Sequence, residues 1–169
     1  MPDGLIEVLN RYFGSLGPAL TQHQGEILKF IGDAMLAIFP INEEESDMRG
    51  ACTRALTASK AALAELERWS ELRTQAGDTP IQCGIALHVG EVVYGNIGTP
   101  GRLDFTVIGE AVNRVARVES LCGPLGEVLL ATDEFVQSVD CGRTSVGSHV
   151  LKGIDEAVEV FRLEVKPTV

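Results

Sequence analysis

The sequence predicts an α+β fold, a sandwich with helices packed on a mixed sheet rich in antiparallel hairpins. Three observations carry that expectation. Two stretches, residues 5–20 and 48–75, keep apolar residues at helical spacing. Several short runs alternate apolar and polar residues around glycine turns, the mark of antiparallel hairpins. The two kinds of element are interleaved along the chain, which excludes an all-helical or an all-strand architecture.

Each element has its own warrant. Leu5, Val8, Leu9, Tyr12, Phe13 and Leu16 recur at helical spacing and place a helix over residues 5–20. Residues 25–40 read as a hairpin. Ile27, Lys29 and Ile31 alternate with Leu28 and Phe30, Gly32-Asp33 makes the turn, and residues 34–39 return. Residues 43–47 form an acidic loop, with Ser46 or Asp47 as the cap of the next helix. That helix spans 48–75, burying Ala55, Leu56, Ala62, Leu63 and Leu66, and Gly77, Asp78 and Pro80 stop it. A strand over 81–89 pairs back with 91–97 across a tight turn at Gly90, and Thr99-Pro100-Gly101 is a loop. A short strand over 105–108 leads into a helix over 112–121. A strand over 127–131, a short helix over 132–138 and a final hairpin of 143–151 with 157–164 around Gly153 complete the chain.

Composition narrows the function. A chain of 169 residues suits one domain with a substantial core, and 45% hydrophobic residues exclude disorder. A formal charge of −10 and a pI near 4.7 argue against a nucleic-acid polymer as partner, because backbone binding relies on a basic footprint. They leave room for a small anion held by local cations, or for a metal that offsets part of the acidity. Cys52, Cys83, Cys122 and Cys141 lie far apart without zinc-ligand spacing, and read as reduced thiols of a cytoplasmic chain. His23, His88 and His149 are equally scattered. The short, interrupted apolar runs predict no membrane segment, and Met1-Pro-Asp-Gly does not read as a signal peptide.

The most informative stretch is Asp104-Phe-Thr-Val-Ile-Gly-Glu-Ala-Val-Asn113-Arg-Val-Ala-Arg117. A strand runs into a glycine, and the helix that follows carries Asn113 and Arg117 four residues apart on one face. An amide and a guanidinium so placed can hold a sugar and a phosphate together, since guanidinium presents a rigid fork of donors to phosphoryl oxygens. A lone N-x-x-x-R is more often a surface charge and a near-cap asparagine. The remaining motifs reverse that balance.

Residues 25–39 (GEILKFIGDAMLAIF), 84–98 (GIALHVGEVVYGNIG), 105–117 (FTVIGEAVNRVAR) and 151–154 (LKGI) resemble, in order and separation, the class III nucleotidyl cyclase catalytic domain. The resemblance covers nearly the whole chain. It implies a ferredoxin-like sandwich and a head-to-tail homodimer with nucleotide between the subunits. The reaction it implies is attack of the ribose 3′-hydroxyl on the α-phosphorus, giving a 3′,5′-cyclic monophosphate and pyrophosphate. Two magnesium or manganese ions are implied as cofactors.

Residue by residue, the resemblance places Asp33 at the second metal-binding aspartate, a hard oxygen donor for a hard cation. On its own, Asp33 would read as an ordinary turn residue. Lys29 and Thr106 match the two base-reading positions. Adenine offers an acceptor at N1 and donors at N6, which suits a lysine and a threonine oxygen, whereas guanylyl cyclases typically carry glutamate and cysteine there. The pair therefore implies ATP as substrate and the threonine-bearing adenylyl cyclase subgroup. Asn113 matches the ribose-orienting asparagine, Arg117 the arginine that stabilises charge on the α-phosphate, and Lys152 the lysine that grips the terminal phosphates. Arg102 lies near a position where some relatives hold a phosphate-binding arginine.

One family feature has no counterpart. The opening strand F-x-D-[IM]-x-G-F-[ST], whose aspartate is the first metal ligand, does not occur, and the chain opens in the helix that should follow it. The expectation is a single catalytic domain, residues 1–169, that is N-terminally incomplete, weakly active or inactive by itself, with an active parent. Two other readings stand beside it: a nucleotide-binding regulatory module without catalysis, and a guanylyl cyclase.

Overall fold

The computed structural model describes residues 2–41 and 48–165. The acidic loop over 43–47 and its cap at Ser46 or Asp47 lie outside the described residues. The chain divides into two compact units, Met1–Cys83 and Gly84–Val169.

The first unit holds helix α1 (Pro2–Gln22), strands β1 (Glu26–Ile31) and β2 (Ala34–Ile38), and helix α2 (Met48–Gln75). Its core is narrow because α2 buries small residues, Ala51, Ala55, Ala58 and Ala62, beside Leu56, Leu63, Leu66 and Trp69. Small side chains let the facing helix approach closely, and α1 answers with Leu16 and Ala19. Trp69 closes one end, with the guanidinium groups of Arg11 and Arg73 at 5.3 and 5.6 Å from its ring. Phe13 of α1 packs on Phe30 of β1, ring centroids 4.5 Å apart. Strands β1 and β2 pair antiparallel, as the sequence predicts, but the register shifts between Ile27 and Lys29. The side of the ribbon that Lys29 occupies therefore cannot be counted from Ile27 by simple alternation.

The second unit holds β3 (Ile85–Leu87), β4 (Val93–Thr99), β5 (Arg102–Ile108), α3 (Glu110–Glu119), α4 (Cys122–Leu125), β6 (Leu129–Thr132), α5 (Asp133–Val136), β7 (Arg143–His149) and β8 (Val158–Leu163). Four strands form one sheet in the order β3-β6-β8-β7, with β3 and β6 parallel and the other neighbours antiparallel. Strand β6 is buried along its whole length, as a central strand of branched and small apolar residues should be. Its Leu130 packs with Val118, Cys122, Leu151, Ile154, Val158 and Val160.

The α+β class and its antiparallel bias hold, with two corrections of pairing. Residues 91–97 do not pair back on the preceding strand across Gly90. Strand β3 is only three residues long and pairs with β6. Strand β4 pairs instead with β5 over seven residue pairs, Val93 to Ile108 through Thr99 to Arg102. The tight turn is Pro100-Gly101, read above as a loop, and a proline followed by glycine is the sequence signal for such a turn. Among the described residues the strands also fall into three sheets, of two, four and two strands, where one mixed sheet was expected.

Leu130 is fully buried and Val150 is 83% exposed. Leu130→Ala should lower unfolding stability by about 2–5 kcal/mol, and Val150→Ala by at most about 0.5 kcal/mol. Urea titration followed by circular dichroism measures both; equal effects would contradict the core assignment.

Candidate active site

Helix α3 starts without a loop. Its N-cap, Gly109, has φ +152° and ψ 166°, a conformation that side chains disfavour. A Cβ there would also sit 3.1 Å from the Glu91 carbonyl oxygen. The glycine lets strand β5 pass directly into the helix. Asn113 follows one turn in, its backbone N–H donating to the Gly109 carbonyl at 3.5 Å. Arg117 lies in the last turn, where the helix dipole favours a cation. Both side chains are exposed.

Thr106 lies on β5, two residues before Ile108. Its Oγ1 is buried and, among the described residues, has no hydrogen-bond partner. A buried hydroxyl without a partner costs free energy. Directly opposite, β4 places Gly95, beside which there is open space. Strand alternation puts Arg102 and Asp104 on the Thr106 side of β5, both exposed. Lys152 occupies a tight turn after β7. Leu151 and Ile154 on either side are buried, and the Ile154 N–H donates to the Leu151 carbonyl at 3.0 Å, which leaves Lys152 exposed between two apolar anchors.

In the first unit, Lys29 is half-buried on β1 opposite Leu36, and Asp33 is exposed at the β1–β2 turn. Asp33 offers one hard carboxylate oxygen. Magnesium commonly takes one or two protein carboxylates and completes its shell from phosphates and water, so the donor fits an ion delivered with a nucleotide. Among the described residues no three metal-ligating side chains gather. Within each unit, then, the residues fall into sets: Lys29 with Asp33 on one hairpin, Arg102 and Thr106 on one strand, Asn113 and Arg117 on one helix, and Lys152 on a separate turn.

A polar network that the sequence reading did not find surrounds the start of α3. Arg114 donates to Glu110 at 2.8 Å and to Glu134 of α5 at 3.1 Å. Thr132, the last residue of β6, shares a hydrogen bond with Glu134. His88, just beyond β3, has Nδ1 2.8 Å from Thr132 Oγ1 and 3.8 Å from the Glu134 carboxylate. With the single Thr132 proton given to Glu134, the hydroxyl oxygen accepts from His88 Nδ1–H. Burial pushes the His88 imidazole below its ordinary 6.5; Glu134 and Glu110 oppose that shift and Arg114 adds to it. Burial would raise the Glu134 carboxyl, but its own backbone N–H, Thr132, His88 and Arg114 hold it below its ordinary 4.5. The Glu110–Arg114 spacing was legible as an i,i+4 pair. Glu134, twenty residues further on, carried no local signal.

A profile of the adenylate and guanylate cyclase catalytic domain matches residues 1–164. The chain belongs to the class III nucleotidyl cyclase family. An adenylate cyclase of Anabaena cylindrica is 34% identical over 96% of this chain and 33% of its own length. A terminal-differentiation-specific adenylate cyclase of Dictyostelium discoideum is 32% identical over 95% of this chain and 8% of its own length. The chain therefore spans a third or less of these relatives. Among solved structures, the guanylyl cyclase Cya2 superposes with a TM-score of 0.80 at 27% identity, covering 96% of this chain and 81% of that one. A bacterial light-regulated adenylyl cyclase superposes with a TM-score of 0.78 at 26% identity, covering 98% of this chain and 46% of that one. The two cyclases act on different purines at nearly equal likeness, so overall similarity does not decide the base. Among the described residues, no helix of this family member is long and apolar enough to cross a membrane.

His88 and Glu134 act in separate pH windows. An unfolded chain protonates His88 near 6.5, the folded chain only lower. Between those values the unfolded state holds more protons, so stability falls as pH drops. Glu134 contributes stability above 4.5 that is lost only on further acidification. His88→Gln should flatten the loss of stability between about pH 7.5 and 5.5, and Glu134→Gln the loss below about pH 4.5. Urea midpoints across pH give both slopes; an unchanged slope in His88→Gln would contradict the burial of a neutral imidazole.

Proposed function

We propose that this cyclase domain converts ATP to 3′,5′-cyclic AMP and pyrophosphate at sites formed between two copies of the chain. The observation that carries a base pocket is the Thr106 hydroxyl, buried and, among the described residues, without a partner, beside the open space at Gly95. A base edge brought there supplies the missing partner. Threonine can donate or accept, so the discriminating partner is Lys29, which only donates. Adenine N1 accepts from it, while guanine presents N1–H. In this reading Lys29 donates to adenine N1, and Thr106 accepts from the N6 amino group.

The remaining roles follow from the chemistry of each side chain. Asn113 orients the ribose through its amide. Arg117 offers its planar fork to the α-phosphate as charge builds there, and losing such a donor commonly costs about 10²–10³ in rate. Lys152, held outward by its buried neighbours, grips the terminal phosphates. Arg102 shares the Thr106 side of β5 and adds positive charge near the phosphates. Asp33 would hold magnesium or manganese, two ions per site, which would acidify the 3′-hydroxyl and offset charge on the leaving pyrophosphate.

The β4–β5 ribbon supports a homodimer. Leu103 and Phe105 on one face of the ribbon, and Val93 and Ile108 on the other, are each at least half exposed, apolar surface that water does not favour. A second copy covers them. Asn113 and Arg117 of one copy then act with Asp33 of the other.

Two experiments test this reading in the native gene product that carries the sequence. Cyclic AMP and cyclic GMP formation are measured side by side with manganese; cyclic AMP should dominate, and Lys29→Glu combined with Thr106→Cys should erode that preference. Dominant cyclic GMP would overturn the base assignment. In the second, Asp33→Ala and Arg117→Ala each abolish most activity. Mixing the two should restore up to roughly a quarter of the unsubstituted rate, because each mixed dimer regains one intact site. No recovery on mixing would remove the shared site.

A further inference from the structure

Arg114 is adjacent to the ribose-orienting amide, yet it faces elsewhere. At 3.6 residues per turn, Arg114 stands about 100° from Asn113 and about 60° from Arg117 around the helix axis. Its side chain is 21% exposed and its guanidinium bridges Glu110 on its own helix and Glu134 on α5. It does not point at a substrate; it ties α3 to the end of the four-stranded sheet.

The helix needs such a tie. Of its ten residues only Val118, near the C-terminal end, is fully buried. Val118 anchors that end in the core beside Leu130 and Val160. The N-terminal half, which carries Asn113, has no fully buried apolar side chain to fix its rotation. Polar contacts stand there instead. Glu134 receives Arg114 on one side and Thr132 on the other, and Thr132, itself fully buried, is held by His88. The backbone just beyond His88 passes close to the helix start. At Gly90 an added Cβ would lie 3.0 Å from His88 Nε2 and 2.6 Å from the Ala111 Cβ, so only glycine allows this close approach. The chain His88–Thr132–Glu134–Arg114 thus connects the ends of β3 and β6, through α5, to the middle of α3.

We propose that Arg114 and Glu134 are positioning residues, an ion-pair clamp that fixes the rotation of α3 and so sets where Asn113 and Arg117 meet the nucleotide. This rests on the cyclase reading above for its catalytic consequence, though not for the clamp itself. A partly exposed ion pair adds little to global stability, so its loss leaves the fold intact. A displacement of catalytic groups by about 1 Å can still cost 10²-fold in rate. The clamp should therefore appear in kcat and in local helix protection, not in the melting temperature.

The test compares Arg114→Met, Arg114→Lys, Glu134→Gln and the double variant Arg114→Met with Glu134→Gln, all in the native gene product. Hydrogen exchange at the amides of residues 112–117 reads the clamp directly and needs no activity. It should quicken in Arg114→Met and in Glu134→Gln, while exchange at residues 129–132 of β6 stays unchanged. Steady-state kinetics with ATP should show kcat reduced about tenfold to a hundredfold with KM within about twofold. Arg114→Lys should recover part of the loss, and the double variant should be no worse than the worse single one, because both remove the same contact. Unchanged exchange in α3 overturns the clamp. Quickened exchange with an unchanged kcat overturns its positioning role, as do losses that simply add. If the unsubstituted gene product forms no cyclic nucleotide, the activity reading falls and exchange alone judges the clamp.

Discussion

Burial of strand β6 is the constraint that organises the second unit. Its four residues are all buried, so each of its edges and faces must be covered. Strand β3 takes one edge in parallel and β8 the other in antiparallel. Val118 of α3 lies in the same cluster as Leu130. This arrangement determines where α3 lies, and α3 carries the amide and guanidinium on which the proposed chemistry turns. The strand ends at Thr132, a fully buried hydroxyl that passes directly into the polar network beneath the helix. Apolar packing and polar positioning therefore meet at one residue.

Much of this architecture was legible because it is local. The helix over 48–75 shows its stop in Gly77 and Pro80, and its alanine stripe recurs at helical spacing. The β5-to-α3 junction is readable because an apolar run, one glycine and a charged periodic run follow in succession. What failed was pairing between distant segments. Residues 91–97 alternate well enough to pair with either neighbour, and only tertiary packing assigns β6 to β3. The Pro100-Gly101 signal was present but outweighed by the expectation of a turn at Gly90.

The candidate site divides along the same line. Asn113, Arg117 and Lys152 stand in motifs whose spacing can be read from one segment. The unpartnered state of Thr106 cannot be read so, since it depends on everything that surrounds one oxygen. The resemblance points to Lys29, but alternation alone assigns its face of the strand, and the register shift between Ile27 and Lys29 shows how weak that count is on a short ribbon. Arg114 sits in the same motif as Asn113, yet its partner Glu134 lies beyond α4 and β6. Family likeness points to candidate residues for substrate contact; it does not point to those that would hold them still.

The long β4–β5 ribbon has a final consequence. Two strands alone are marginal in water, and this pair exposes Leu103 and Phe105 while its Tyr94 and Phe105 rings meet edge-on at 4.6 Å. Thr106 resides in that same ribbon. The order of this proposed base-reading residue is thereby linked to whatever shields the ribbon from solvent. Whatever covers this ribbon would therefore also set how firmly the Thr106 hydroxyl is held.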